Sequence, residues 1–130
     1  MKQPRIWESN IKPNSIEKLS DNSYYYNYII GEDNVQVEKP NSEGSTIETR
    51  YYYLRSYLSG APNYKEAIVS VIRQYVSVDD EIALINKYNT YNLGLDTDQT
   101  ACNEYEDYCL LVSDIRKKVK KDFNISPTDD

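Results

Sequence analysis

Thr46-Ile47-Glu48-Thr49-Arg50-Tyr51-Tyr52-Tyr53-Leu54-Arg55-Ser56-Tyr57-Leu58, followed by Gly60-Ala61-Pro62-Asn63-Tyr64, contains the point at which the chain changes from strand to helix. The first part is rich in Tyr, Thr and Ile, residues that suit a pleated, half-buried surface. Alternation puts Tyr52, Leu54 and Leu58 on one side, the expected core face, and Tyr51, Tyr53, Arg55 and Tyr57 on the other. Gly60-Ala61-Pro62 breaks the strand. Asn63 with Glu66 then opens a helix by capping-box chemistry, and Tyr64, Ile68, Val71 and Tyr75 recur along one helical side.

Upstream, Ser23 to Ile30 reads as a Tyr-rich strand, Gly31-Glu32-Asp33-Asn34 as a turn, Val35 and Val37 as a second strand, and Lys39 to Gly44, with Pro40, as a polar loop. Short connections favour pairing of neighbours, so residues 23–58 are expected to form a three-stranded antiparallel meander. Residues 1–22 read as an extended N-terminal arm, interrupted by Pro4 and Pro13 and anchored by Trp7, either on its own domain or on a neighbouring subunit.

Downstream, Ser77 with Asp79, Asp80 and Glu81 starts a second helix. Its apolar side is Ile82, Leu84, Ile85, Tyr88 and Tyr91, and Gly94 stops it. Asp96 with Gln99 is expected to cap a third helix, whose stripe of Ala101, Tyr105, Tyr108, Val112, Ile115 and Val119 fits a helical hairpin with the second. The expected fold is α+β: a single domain over 23–123, with strands in 23–58 and helices in 63–123, and a frayed tail at 124–130.

Composition bears on function. Fourteen tyrosines stand against one Phe and one Trp, and histidine is absent. Tyr pairs a large apolar ring with a hydroxyl, which suits interfaces. The expected partner-binding residues are Trp7, Tyr24, Tyr26, Tyr28, Tyr51, Tyr53, Arg55 and Tyr57; the alternative is that these tyrosines only pair across strands. Without His there is no Ser-His or Cys-His nucleophile pair, and no Gly-rich phosphate loop occurs among four glycines. No catalytic residue, cofactor or metal site is expected, and the protein reads as no enzyme. Asp96, Asp98, Thr100, Glu104 and Asp107 have calcium-loop intervals, but Ala101 stands where the tight-turning Gly belongs. Cys102 and Cys109 lie about 10 Å apart on one helix, too far for a disulfide.

A net charge of -6 opposes nucleic-acid binding. The one basic run, Arg116-Lys117-Lys118-Val119-Lys120-Lys121, sits where cations offset a helix dipole. The first twenty residues hold no apolar signal segment, and no stretch of eighteen apolar residues occurs. Neither secretion by a cleaved signal nor a membrane span is expected.

Three stretches carry a resemblance: Gly60-Ala61-Pro62-Asn63-Tyr64; Val71-Ile72-Arg73 with Ser77-Val78-Asp79-Asp80-Glu81-Ile82-Ala83-Leu84-Ile85-Asn86-Lys87-Tyr88-Asn89; and Glu104-Tyr105-Glu106-Asp107-Tyr108. Over about half of its length the chain resembles a group of small uncharacterised proteins encoded by phages and prophages of Bacteroidales-type gut bacteria. The resemblance implies a virion structural or assembly accessory protein, in the virion or the host cytoplasm, with other phage proteins or further copies of itself as partners. It supplies no catalytic or binding residues. The alternative reading is a phage inhibitor that blocks or sequesters a component of host defence.

Overall fold

In a computed structural model, residues 1–38, 44–126 and 128 are described; the expected loop at 39–43 and Pro127, Asp129 and Asp130 of the tail lie outside the described residues. The elements are β1 (Trp7–Ser9), β2 (Ile16–Lys18), β3 (Ser23–Glu38), β4 (Ser45–Ser59), α1 (Tyr64–Tyr75), α2 (Val78–Asn92) and α3 (Thr100–Asp122). Among the described residues the fold is α+β, with an antiparallel sheet and three helices. Contacts divide the chain into two compact units, Pro4–Asn63 and Met1–Gln3 with Tyr64–Asp130.

The sheet corrects the expected three-stranded meander. It has four strands in the order β1-β4-β3-β2, every neighbouring pair antiparallel. The residues read as two strands with a turn at 31–34 are one strand, β3. Its ladder with β4 runs from Ser23 opposite Ser59 to Glu38 opposite Ser45. The turn chemistry of Gly31-Glu32-Asp33-Asn34 is overridden because β4 is long enough to pair with the whole segment. A bulge between Ile29 and Gly31 takes up the irregularity. That extra residue also changes parity. Before it, Tyr24, Tyr26 and Tyr28 lie opposite Leu58, Ser56 and Leu54; after it, Gly31, Val35 and Val37 lie opposite Tyr52, Glu48 and Thr46. Without the bulge Val35 and Val37 would sit on the other face.

The two additional strands come from residues 1–22. Pro4 and Pro13 cannot donate to a ladder, which leaves short pairable stretches after each. Trp7 lies opposite Tyr53, and Ile16 opposite Tyr26. At the β2–β3 turn, Asn22 adopts φ 63, a left-handed conformation that Asn tolerates. Its carbonyl accepts from the N–H of Gly60, which has φ 86, at 3.0 Å, tying this turn to the end of β4.

Tyr24, Tyr26 and Tyr28 are 1%, 0% and 8% exposed, and Leu54 is 0%. The Tyr24 hydroxyl accepts from the Asn63 N–H at 3.0 Å, so this ring is buried with its polar atom satisfied. These three tyrosines were expected to meet a partner. They belong to the core instead, because the register sets them opposite Leu54, Ser56 and Leu58.

In the helical unit, Ser77 caps α2 by accepting from the Asp80 N–H at 3.1 Å, and Gly94 adopts φ 74 just beyond the helix end. The cap of α3 differs from the expected Asp96 and Gln99: Gln99 makes no side-chain cap bond, and the Asp98 carboxylate accepts from the N–H and hydroxyl of Thr100. The expected stripe on α3 is the covered one: Ala101, Ile115 and Val119 are buried, and Tyr105, Tyr108 and Val112 half-buried. Helices α2 and α3 form an antiparallel hairpin in which Tyr88 stacks on Tyr105 at 4.3 Å and Lys87 meets Glu104 at 4.0 Å. Ile82 departs from the expected apolar side and is 51% exposed.

One carboxylate joins the three helices. Arg73 of α1 binds Glu81 of α2 through both terminal nitrogens, at 3.1 and 3.2 Å, and the Tyr108 hydroxyl of α3 donates to the same carboxylate. Hydrogen bonding from Arg73, then Tyr108, holds the Glu81 carboxyl below its ordinary value of 4.5. Burial, reinforced by Glu81, pushes the Tyr108 phenol up to about 12.

Tyr26→Ala and Leu54→Ala are expected to lower unfolding free energy by about 2 to 5 kcal/mol, and Tyr57→Ala by about 0.5 kcal/mol or less, in urea titrations. Equal losses would mean that both faces of β4 are core.

A second expectation concerns pH. Because Glu81 is depressed in the folded state, its contribution is present above pH 4.5 and fades as the pH falls further. Because Tyr108 is raised, its contribution is complete below its ordinary 10.0 and fades as the pH climbs towards about 12. Glu81→Gln should flatten the acid limb of the urea midpoint and Tyr108→Phe the alkaline limb. Unchanged limbs in both variants would exclude the tie as their source.

Candidate partner-binding face

The second face of the sheet is built by the odd-numbered residues of β4 and their cross-strand neighbours. Tyr57 lies opposite Tyr25, Arg55 opposite Asn27 and Tyr53 opposite Ile29; beyond them β1 sets Trp7 opposite Tyr53 and β2 sets Glu17 opposite Tyr25. Directly paired residues share a face, so the register alone brings Trp7, Tyr25, Tyr53, Arg55 and Tyr57 together.

Arg55 is the centre of this group. Its Nε donates to the Asn27 Oδ1 at 3.0 Å, and its Nη2 to the Glu17 Oε1 at 3.0 Å. Asn27 is fully buried, and its amide nitrogen donates to the same Glu17 oxygen and to the Asn14 carbonyl, each at 2.8 Å. Around this polar hub lie aromatic rings. The guanidinium is 4.5 Å from the Tyr25 centroid, 5.2 Å from Trp7 and 5.5 Å from Tyr53. These distances fall within the range of cation–π attraction. Arg5 stacks on Trp7 at 4.1 Å, and Tyr57 meets Tyr25 edge-on at 6.0 Å.

Exposure then separates the expected partner residues. Tyr57 is 57% exposed, Trp7, Tyr51 and Arg55 are half-buried, and Tyr53 is buried. Tyr24, Tyr26 and Tyr28 lie on the opposite face. Arg5, Glu17, Tyr25 and Asn27 belong to the group but were not singled out by sequence. For Glu17, Tyr25 and Asn27 the signal was the cross-strand register, which a turn assigned at 31–34 conceals; Arg5 lies outside the ladders and joins through its stacking on Trp7. At the edge of the face the Ser23 hydroxyl donates to Asp21 and holds that carboxyl below its ordinary range.

Glu17 is engaged by both Arg55 and Asn27, an arrangement suited to fixing side chains in place. The calcium-like intervals resolve into local bonds: Asp98 serves Thr100, and Asp96 accepts from the Asp98 N–H at 3.0 Å. Among the described residues no group of three or more His, Cys, Asp or Glu could hold a metal ion. Cys102 is half-buried and Cys109 exposed, both free thiols. The basic run on α3 is not uniformly solvated: Val119 and Lys120 are buried, and Lys118 pairs with Asp122 at 3.5 Å. Among the described residues no helix is long and apolar enough to cross a membrane. In comparisons with protein-family models, curated proteins and solved structures, the chain matches none.

Arg55→Ala strips Glu17 and the buried Asn27 of their shared donor and should cost about 1 to 3 kcal/mol. Arg55→Lys should recover part of this loss, since a point charge cannot reproduce the planar fork. Trp7 is the chain's single tryptophan, so its emission reports on this group directly. Arg5→Ala should change Trp7 emission while leaving the urea midpoint unmoved. An unchanged spectrum would show that Arg5 does not stack on Trp7 in solution.

Proposed function

We propose that the protein is a non-enzymatic virion structural or assembly accessory protein of a phage, and that it binds another protein chain through the sheet face centred on Arg55. The observation that carries this reading is a cluster of Trp, Tyr and Arg side chains, open to solvent at Arg5 and Tyr57, whose members are held by internal hydrogen bonds and ring contacts. Trp, Tyr and Arg are the residues most enriched at energetic centres of interfaces. Fixing them before contact reduces the entropy lost on binding.

The phage setting rests on the resemblance carried by residues 60–64, 71–73, 77–89 and 104–108. A protein partner fits the charge: a chain at -6 is repelled by phosphate backbones. The opposite sheet face supports the same choice of surface, since Tyr24, Tyr26 and Leu54 have almost no exposed area to offer.

Quantitative mass spectrometry of purified virions and of assembly intermediates from infected cells tests the reading. The protein is expected in one or both fractions. The double change Arg5→Ala with Tyr57→Ala should lower its recovery there by about tenfold, the effect of losing roughly 1.4 kcal/mol of binding, while its circular dichroism stays unaltered. Absence from both fractions would overturn the proposal.

A further inference from the structure

We infer that the outer edge of β3, from Ile29 to Glu38, accepts an extended basic segment of another protein chain as an added strand. The central strands outrun their neighbours: β1 pairs with β4 only at Tyr51–Tyr53, and β2 with β3 only at Tyr24–Tyr26. The Asn27 N–H still donates to the Ser15 carbonyl at 2.8 Å. Beyond it, among the described residues, no strand lies along this edge of β3. The far edge of β4 is occupied differently, since Glu8 pairs with Arg50 at 3.6 Å and Asn10 donates to Glu48 at 2.9 Å.

An edge strand leaves the N–H and C=O groups of alternate residues pointing away from its ladder, a template for another strand. Gly31 to Asn34, Gln36 and Glu38 are exposed, so that template is accessible. The usual protections against edge pairing are charged side chains, lysine above all, with prolines and bulges along the edge; an acidic edge is protected against its own kind but not against a basic strand. Between Gly31 and Glu38 there is no Lys and no Pro, and the bulge lies at the upstream limit.

Register and charge select the occupant. The only charged residues of this edge are Glu32, Asp33 and Glu38. A second copy added antiparallel about Val35 would set Glu32 opposite Glu38, and like charges directly opposed are destabilising. A basic strand meets the opposite situation. Glu32, Asn34, Gln36 and Glu38 share the face of Tyr51 and Ile47, whereas Val35 and Val37 share the other face with Glu48 and Thr46. A segment alternating cationic and β-branched residues would lay its cations beside Glu32 and Glu38 and its apolar residues beside Val35 and Val37. Main-chain bonds would supply affinity and the alternate side chains selectivity, the mode of recognition by strand addition.

The test uses the full chain and a fluorescent eight-residue peptide of alternating lysine and valine. Two controls accompany it, one with proline at a central valine and one with glutamate in place of every lysine. Anisotropy should show binding of the first peptide, with both controls weaker by about tenfold or more. Amide hydrogen exchange should slow across residues 31–38 when the first peptide is present. Glu32→Lys with Glu38→Lys should reverse the preference towards the glutamate peptide. Equal binding of the proline peptide would reduce the effect to charge alone and overturn the inference, as would unchanged exchange at 31–38. Protection of these amides without peptide, accompanied by a dimer in light scattering, would assign the edge to a second copy and overturn it as well. None of these outcomes depends on Arg5 or Tyr57, so the edge and the Arg55 face stand or fall separately.

Discussion

The register between β3 and β4 is the constraint on which the sheet depends. Once Ser23 lies opposite Ser59, the even-numbered tyrosines of β3 share a face with Leu54, Ser56 and Leu58, and the odd-numbered residues before the bulge, Tyr25, Asn27 and Ile29, share one with Tyr53, Arg55 and Tyr57. A slip of one residue would exchange the two sets. It would move the buried Asn27 to the face of Leu54, away from Glu17, and leave Arg55 without the amide that orients it. The bulge between Ile29 and Gly31 carries the same logic past the irregularity: by adding one residue to β3, it keeps Val35 and Val37 on the side of the buried tyrosines. Core and polar hub are thus consequences of one pairing, and so is the stretch of β3 that, among the described residues, outruns β2.

Each unit then uses one arginine in a way that lysine could not. Arg55 divides its donors between Glu17 and Asn27 while its flat surface faces aromatic rings. Arg73 directs its fork at both oxygens of Glu81, and Tyr108 donates to that carboxylate from a third helix. In both cases a planar cation converts contacts between elements into fixed geometry. Neither α2 nor the short strands could be held by apolar burial alone: α2 has no fully buried residue, and β1 and β2 have three residues each. Directional polar bonds replace the missing packing at these positions.

What was legible in the sequence was local. The Ser77 cap, the stop at Gly94 and the stripe from Ala101 to Val119 follow from neighbours within a turn or two of helix, and the structure contains each of them. The alternation of β4 was also legible, since it needs no partner strand, but the core assignment was not: of the expected core face only Leu54 is buried, Tyr52 and Leu58 are half-buried, and Tyr53 is buried on the other face. Three further features were not. The segment at 31–34 has good turn composition, but a partner far away in sequence keeps it extended. Residues 7–9 and 16–18 have weak strand character and pair only because β3 and β4 offer edges to them. Asp98 replaces the expected cap of α3 because its side chain reaches the Thr100 N–H two residues ahead, in a geometry that spacing alone does not specify. The neighbours of Arg55 were hidden for the same reason as the single long β3: they depend on which strand lies opposite which.

The abundance of Tyr over Phe has a partial cause inside the fold. Several hydroxyls have tasks inside the fold. That of Tyr24 accepts from the Asn63 backbone next to the start of α1, and that of Tyr108 completes the three-helix tie. Phe could fill either space but would take an acceptor from the Asn63 N–H or one donor from the Glu81 carboxylate. Tyr88 and Tyr105 use their rings, stacked between α2 and α3. The compositional case for a partner therefore narrows from the whole tyrosine content to Tyr25, Tyr51 and Tyr57, the residues left on an open face once the register has assigned the others. That smaller set is the more specific argument. A fold in need of hydrogen-bonding aromatics accounts for Tyr24 and Tyr108, whereas Tyr57 stays more than half exposed, edge-on to Tyr25, whose own ring faces a guanidinium already fixed in position.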